Sequence, residues 1–145
     1  MSQPREDSVS VYPALHISQS IRKTPEEVYA FASDPQNLPR WAAGLSGATI
    51  VRSGDSWLCQ SPMGDVKVKF ADGNSFGVMD HDVTLPSGEV NHNPFRVVAN
   101  SKGSEVVFTL FRLPRMNDDD FAHDADLIRK DLETLRSLLE VSSRS

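Results

Sequence analysis

The chain has 145 residues, the length of one domain, and its 39% hydrophobic and 24% charged residues are globular values that exclude general disorder. Its 15 basic and 20 acidic residues leave a net charge of −5, the wrong sign for a nucleic-acid footprint, and no run approaches the roughly 20 apolar residues of a membrane span. The single Cys59 cannot close an internal disulfide and the first ten residues lack the apolar core of a signal peptide, so a cytoplasmic location is expected.

Residues 1–13 read as a polar, flexible lead-in, 14–141 as a single folded domain and 142–145 as a short tail. Leu15, Ile17 and Ile21 alternate with polar residues, the period of a half-buried strand. Thr24, Pro25 and Glu27 then spell a helix start: a capping hydroxyl, a proline suited to the first helical position and a glutamate three residues on. Asp34-Pro35 opens a second short helix that ends near Trp41. From Ala48 to Leu113 strand-like runs are cut by Gly54-Asp55, Met63-Gly64, Gly73-Asn74, Pro86-Ser87-Gly88 and Lys102-Gly103, which predicts about six further strands joined as hairpins. The period changes at Asn117. Phe121, Ala125, Ile128, Leu132, Leu135 and Leu139 form one apolar stripe of a helix of about 25 residues, roughly 37 Å long.

Turn positions fix the register, and the register fixes the faces. Two-residue loops at Gly54-Asp55, Met63-Gly64, Gly73-Asn74 and Lys102-Gly103 set Ile50 opposite Cys59, Cys59 opposite Val68, Val68 opposite Met79 and Val97 opposite Phe108. A three-residue loop at Pro86-Ser87-Gly88 sets Met79 opposite Phe95 and His81 opposite Asn93. One apolar face results, running from Ile50, Trp57 and Cys59 through Val66, Val68 and Phe70, then Met79, His81 and Val83, to Phe95, Val97, Ala99, Val106, Phe108 and Leu110. On the other face Lys67 pairs with Asp80 and Asp82 with His92, while Asp65 meets Asp82 unfavourably. Val51, Leu58, Val78, Val98, Val107 and Phe111 share that outer face, a surface that would suit a homodimer. The expected architecture is α+β: a curved antiparallel sheet of about seven strands wrapped on a long C-terminal helix, with two short helices after the first strand.

The stretches His16-Ile-Ser-Gln-Ser-Ile21, Thr24-Pro-Glu-Glu-Val-Tyr-Ala-Phe31 and Ser33-Asp-Pro-Gln-Asn-Leu-Pro-Arg-Trp41 resemble the START/Bet v1-like (SRPBCC) helix-grip superfamily, in its polyketide cyclase/dehydrase-like branch. Gly103-Ser-Glu-Val-Val-Phe-Thr-Leu-Phe-Arg112 and Asp131-Leu-Glu-Thr-Leu-Arg-Ser-Leu-Leu-Glu140 extend the resemblance to about Val141. It implies a helix-grip fold with a cavity for a small, mostly apolar ligand such as a lipid, a polyketide-like molecule or an aromatic metabolite. The glycine-rich loop of the plant allergen branch is replaced by Ser53-Gly-Asp-Ser56, and no catalytic set of a characterised cyclase can be matched.

Several residues are candidates for ligand contact. His81 is a titratable ring amid apolar neighbours, able to orient a ligand or to act as acid or base, or else to be satisfied by Asn93 across the ladder. Gln19 is an amide on the inward side of the first strand, in need of a partner. Trp41 stands where this fold opens its cavity, and Trp57 faces Arg52 as a cation–π pair at a sheet end. Met79, Phe95 and Phe108 supply apolar wall. Cys59 reads as an inert packing thiol, and Asp118, Asp119 and Asp120 as first-turn acids behind the cap Asn117. No metal is expected, because His81 and His92 face opposite ways, His123 sits on the polar side of the last helix and no ligand spacing is present. No phosphate-binding or dinucleotide motif is present either, so no cofactor is expected. Binding or transport of an apolar ligand is the leading reading. The alternatives are a cyclase or dehydratase using His81 and a dimeric interaction module.

Overall fold

The computed structural model describes residues 10–61 and 64–142. Strand β1 (Ala14–Ile21) leads into α1 (Pro25–Ala32), a 3-10 turn (Pro35–Asn37), α2 (Leu38–Trp41) and a second 3-10 turn (Ala43–Leu45). Seven strands follow: β2 (Thr49–Ser53), β3 (Ser56–Ser61), β4 (Gly64–Phe70), β5 (His81–Thr84), β6 (Val90–Asn93), β7 (Phe95–Asn100) and β8 (Gly103–Phe111). The long helix α3 (Asp118–Ser142) closes the fold, and no helix among the described residues is long and apolar enough to cross a membrane.

Local chemistry sets these elements as expected. The Thr24 hydroxyl accepts from the Glu27 amide at 3.2 Å while the Glu27 carboxylate accepts from the Thr24 amide at 3.3 Å, a complete capping box. Asn117 caps α3 in the same reciprocal manner, its Oδ1 accepting from the Asp120 amide at 2.7 Å and its own amide donating to the Asp120 carboxylate at 3.3 Å. Ala125, Leu132, Leu135 and Leu139 are buried, and Phe121 and Ile128 pack beside them, so the helix stripe lies on the sheet.

The sheet departs from expectation in its breaks. Among the described residues eight strands form two antiparallel sheets, β1-β8-β7 and β2-β3-β4-β5-β6. The strand expected as one piece through Asn93 and Phe95 is interrupted at Pro94, which has no amide to donate to a ladder. Its carbonyl accepts from the Thr109 amide at 3.0 Å on the β8 side. The two sheets stay joined where the Met79 amide donates to the Phe95 carbonyl at 2.8 Å and the Val97 amide to the Gly77 carbonyl at 3.0 Å, with Val78 bridging Arg96. The result is one curved antiparallel surface that splays beyond Pro94.

Three expected registers are corrected. Cys59 pairs with Val66, because β3 and β4 already pair at Ser61 and Gly64, one step earlier than expected. Val97 pairs with Val106, because the turn is Ser101-Lys102, with Ser101 itself at a positive φ of 55°. Gly73-Asn74 is not a hairpin: β4 and β5 pair Lys69 with Asp82 and Phe70 with His81, across a connection spanning residues 71–80. Asn74 organises that connection, its Oδ1 accepting from the amides of Phe76 and Val78 and its amide donating to the Tyr29 hydroxyl at 3.0 Å. Gly77 is required there. Its φ is +74° and a Cβ would collide with the Val97 carbonyl. The expected pairs Lys67–Asp80 and Asp65–Asp82 therefore do not form; Lys67 faces Thr84, and Lys69 joins both Asp82 across the ladder and Asp55 in an ion pair at 3.1 Å. Ala99 keeps the face of Phe95 and Val97 but is exposed, near the hairpin end. Of the other expected inward residues, Cys59, Val68, Met79, Phe95, Val97, Val106 and Leu110 belong to the core, and Ile50, Val66, Phe70, Val83 and Phe108 pack against it, whereas Trp57 does not.

Candidate functional site

Helix α3 packs along β1, with α2 also against it, and touches β8 more lightly. On the other flank β6 has β5 as its only strand partner among the described residues, since the chain turns away at Pro94. Between β6, the last residues of β8 and the first half of α3 lies a cleft of about 710 Å³. Val83, Phe108, Leu110, Phe111 and Ile128 give it apolar walls, and Asn91 and Asn93 face it from β6. Tyr12, just ahead of β1, stands at its edge, where the Pro13 carbonyl accepts from the Arg112 amide at 2.8 Å. A concave apolar space with few polar groups is the composition of an organic-ligand site.

The residues singled out from sequence fall into two groups. Asn93 and Phe108 line the cleft. Met79 and Phe95 are fully buried core, and Trp41, 6% exposed, lies against Phe95 with ring centroids 5.8 Å apart. The Trp41 indole nitrogen is buried without a hydrogen-bond partner. His81 does not line the cleft: its ring stacks on Phe70 at 4.9 Å and meets Phe95 and Phe108 edge-on at 6.2 and 6.1 Å. Nδ1 lies 3.0 Å from the Met79 carbonyl, which makes it the protonated ring nitrogen. Asn93 is opposite His81 in register, yet the backbone carbonyl of Met79, not Asn93, satisfies the ring. Burial pushes the His81 pKa below the ordinary value, against the pull of Asp80 and Asp82 and of the Met79 bond, so the ring is neutral near pH 7. Gln19 is half-buried on β1 and donates to the Ser20 carbonyl at 3.1 Å. Trp57 lies under Arg52 at 5.4 Å, opposite it in the β2–β3 ladder. Cys59 is buried, which pushes its thiol pKa up.

Asn91 is the residue that sequence reasoning passed over. It faces Val83 in the β5–β6 ladder, lines the cleft, and its Oδ1 is buried with no hydrogen-bond partner. The alternation Val90, Asn91, His92, Asn93 carried the signal, since it puts two amides on the apolar side of one short strand. Glu89 and Asp124 also border the cleft. Arg115 holds Glu89 through two bonds of 3.0 and 2.8 Å, and His92 is held by Asp82 at 2.6 Å.

No protein-family model matches the chain, and no curated protein does. Solved structures do. XoxI from Bacillus cereus superposes with a TM-score of 0.69 at 14% identity, covering 91% of this chain and 99% of that one. The Aha1 dimer from Colwellia psychrerythraea gives 0.71 at 16% identity, covering 89% and 97%. DynU16, from the dynemicin biosynthetic locus, gives 0.68 at 11% identity, covering 89% of this chain and 48% of its own. The likeness is one of fold. It supports the α+β arrangement of a curved sheet with a long terminal helix, which hosts more than one function.

Proposed function

We propose that the chain binds a small, mostly apolar ligand, as a binder or carrier, in the cleft between β6, β8 and the first half of α3. The observation that carries this reading is an apolar-walled space of about 710 Å³ facing two asparagines, one with a buried unpaired oxygen. A drug-sized molecule is accommodated in a space of that order. The occurrence of DynU16 in a biosynthetic locus agrees with a metabolite-sized ligand for this fold. The helix-grip resemblance agrees as well.

Turnover by a cyclase or dehydratase mechanism is less well supported. His81 is not among the residues that line the cleft, and its Nδ1 is committed to a backbone carbonyl. A dimer is compatible with ligand binding: Val51 and Val98 are exposed on the outer face, and the Colwellia neighbour was solved as a dimer. Light scattering on the purified protein reads that state directly.

The test is thermal unfolding against a panel of lipids and aromatic metabolites. A ligand at a hundredfold excess over its Kd stabilises the native state by about 2.7 kcal/mol, which shifts Tm by several degrees. Ile128→Trp, which fills the cleft from α3, is expected to abolish the shift. A panel without effect, or shifts unchanged in the Trp variant, overturns the reading.

A further inference from the structure

The cleft's polar groups are unevenly matched. Asn91 and Asn93 stand two residues apart on the inward side of β6, opposite Val83 and His81. Burying an amide oxygen without a partner costs about 1–3 kcal/mol, and Asn91 Oδ1 is in that condition. The Asn93 side chain also makes no hydrogen bond among the described residues. Around them the charged groups that border the cleft are the carboxylates of Glu89 and Asp124, with no lysine or arginine among its walls. The guanidinium of Arg115 is already spent on Glu89, and that of Arg112 on Asp118. His92 is likewise tied to Asp82.

We infer that Asn91, assisted by Asn93, is the polar anchor of the cleft and selects an uncharged, hydroxyl-bearing apolar molecule over one carrying a carboxylate. This rests on the ligand-binding reading above and names the ligand's chemistry. A hydroxyl donates to the amide oxygen and accepts from an amide nitrogen, so one group meets both polar ends of a side-chain amide. A carboxylate only accepts. It would leave Asn91 Oδ1 unpaired and face Glu89 and Asp124 in a space where desolvation already disfavours charge. An ammonium donates without accepting, and would shed its hydration beside Phe108, Leu110 and Ile128.

The experiment uses three ligands with one shared body: naphthalene, naphthol and naphthoate, titrated into the full chain at neutral pH by calorimetry. Naphthol is expected to bind about tenfold more tightly than naphthalene and to exceed naphthoate by more, because a buried polar group left unpaired is costly. Asn91→Leu is expected to erase the preference for naphthol over naphthalene. It replaces an unpaired buried amide by an apolar side chain of similar volume, so its Tm should equal or exceed that of the parent. Asn93→Leu, a second variant, is expected to reduce the preference in part. If naphthalene binds as tightly as naphthol, the anchor is refuted and the cleft stands. Tighter binding of naphthoate, or of naphthylmethylamine, an ammonium at neutral pH, added as a fourth arm, refutes the stated ligand chemistry. If none of these compounds binds, and the wider panel fails too, both readings fall together.

Discussion

At the scale of single residues, the clearest consequence of packing is the state of His81. Three aromatic rings and the Met79 carbonyl surround it, and desolvation outweighs the nearby acids, so its folded pKa lies below the ordinary 6.5. A histidine with a depressed folded pKa binds fewer protons in the native state than in the unfolded chain. Its contribution is therefore complete above the unfolded pKa and is lost as pH falls from about 6.5 toward the folded value. The slope approaches 1.4 kcal/mol per pH unit within that window. His81→Gln keeps a donor for the Met79 carbonyl and removes the titration. Unfolding free energies measured by denaturant between neutral pH and pH 5 should fall more steeply for the parent than for the variant. Parallel curves would mean that the ring takes up its proton in place.

At the scale of elements, α3 and the short helical segment before β2 are tied together by Asp131, whose Oδ1 accepts from the Ala43 amide at 3.1 Å. Burial raises this carboxyl's pKa, and the Ala43 bond offsets only part of that. The sign is opposite to that of His81: the folded state holds the proton more tightly, so ionisation at neutral pH is a penalty that fades as pH drops toward 3.8. Asp131→Asn keeps an oxygen for Ala43 and removes the charge. Its Tm should exceed the parent's at neutral pH, and the gain should vanish in acid. A lower Tm at neutral pH would show that the charged hydrogen bond outweighs desolvation.

Elements are also where the sequence was most and least legible. Caps were readable because Thr24, Glu27 and Asn117 act within one turn of themselves. The faces survived even where the pairings moved: Cys59 meeting Val66 instead of Val68, and Val68 meeting Val83 instead of Met79, are shifts by even numbers of residues. An even shift keeps every side chain on its own side of the sheet. What local pattern could not supply was the geometry between distant segments. The connection built on Asn74 depends on Tyr29, 45 residues away, and the break at Pro94 matters only because Thr109 waits for its carbonyl. The same limit applies to the cleft. Asn93 and Phe108 were legible as inward residues, but the strand splay that turns part of that side into a cavity, and with it the unpaired Asn91, was not.

At the scale of the whole molecule, these breaks divide the protein into a braced part and a less braced one. Helix α3 lies along β1, and β8 runs between β1 and β7, so that sheet is hydrogen-bonded within and covered on one face. Strand β6 is an edge strand of its sheet among the described residues and faces a cleft instead of packed side chains on part of its inner side. Fewer buried contacts mean a lower free energy of local opening. Native-state hydrogen exchange should therefore find the amides of β6 exchanging faster than those of β1 and β8. A cleft ligand that touches Asn91, Phe108 and Ile128 would bridge β6, β8 and α3, and protection should rise in β6 and the first half of α3 while β2 and β3 stay unchanged. Naphthol serves as the probe. Equal protection of β6 and β8 without ligand would show that the two sheets open as one unit, with the cleft walls already braced. Protection spread evenly over all strands on adding naphthol would instead report global stabilisation by a ligand seated elsewhere.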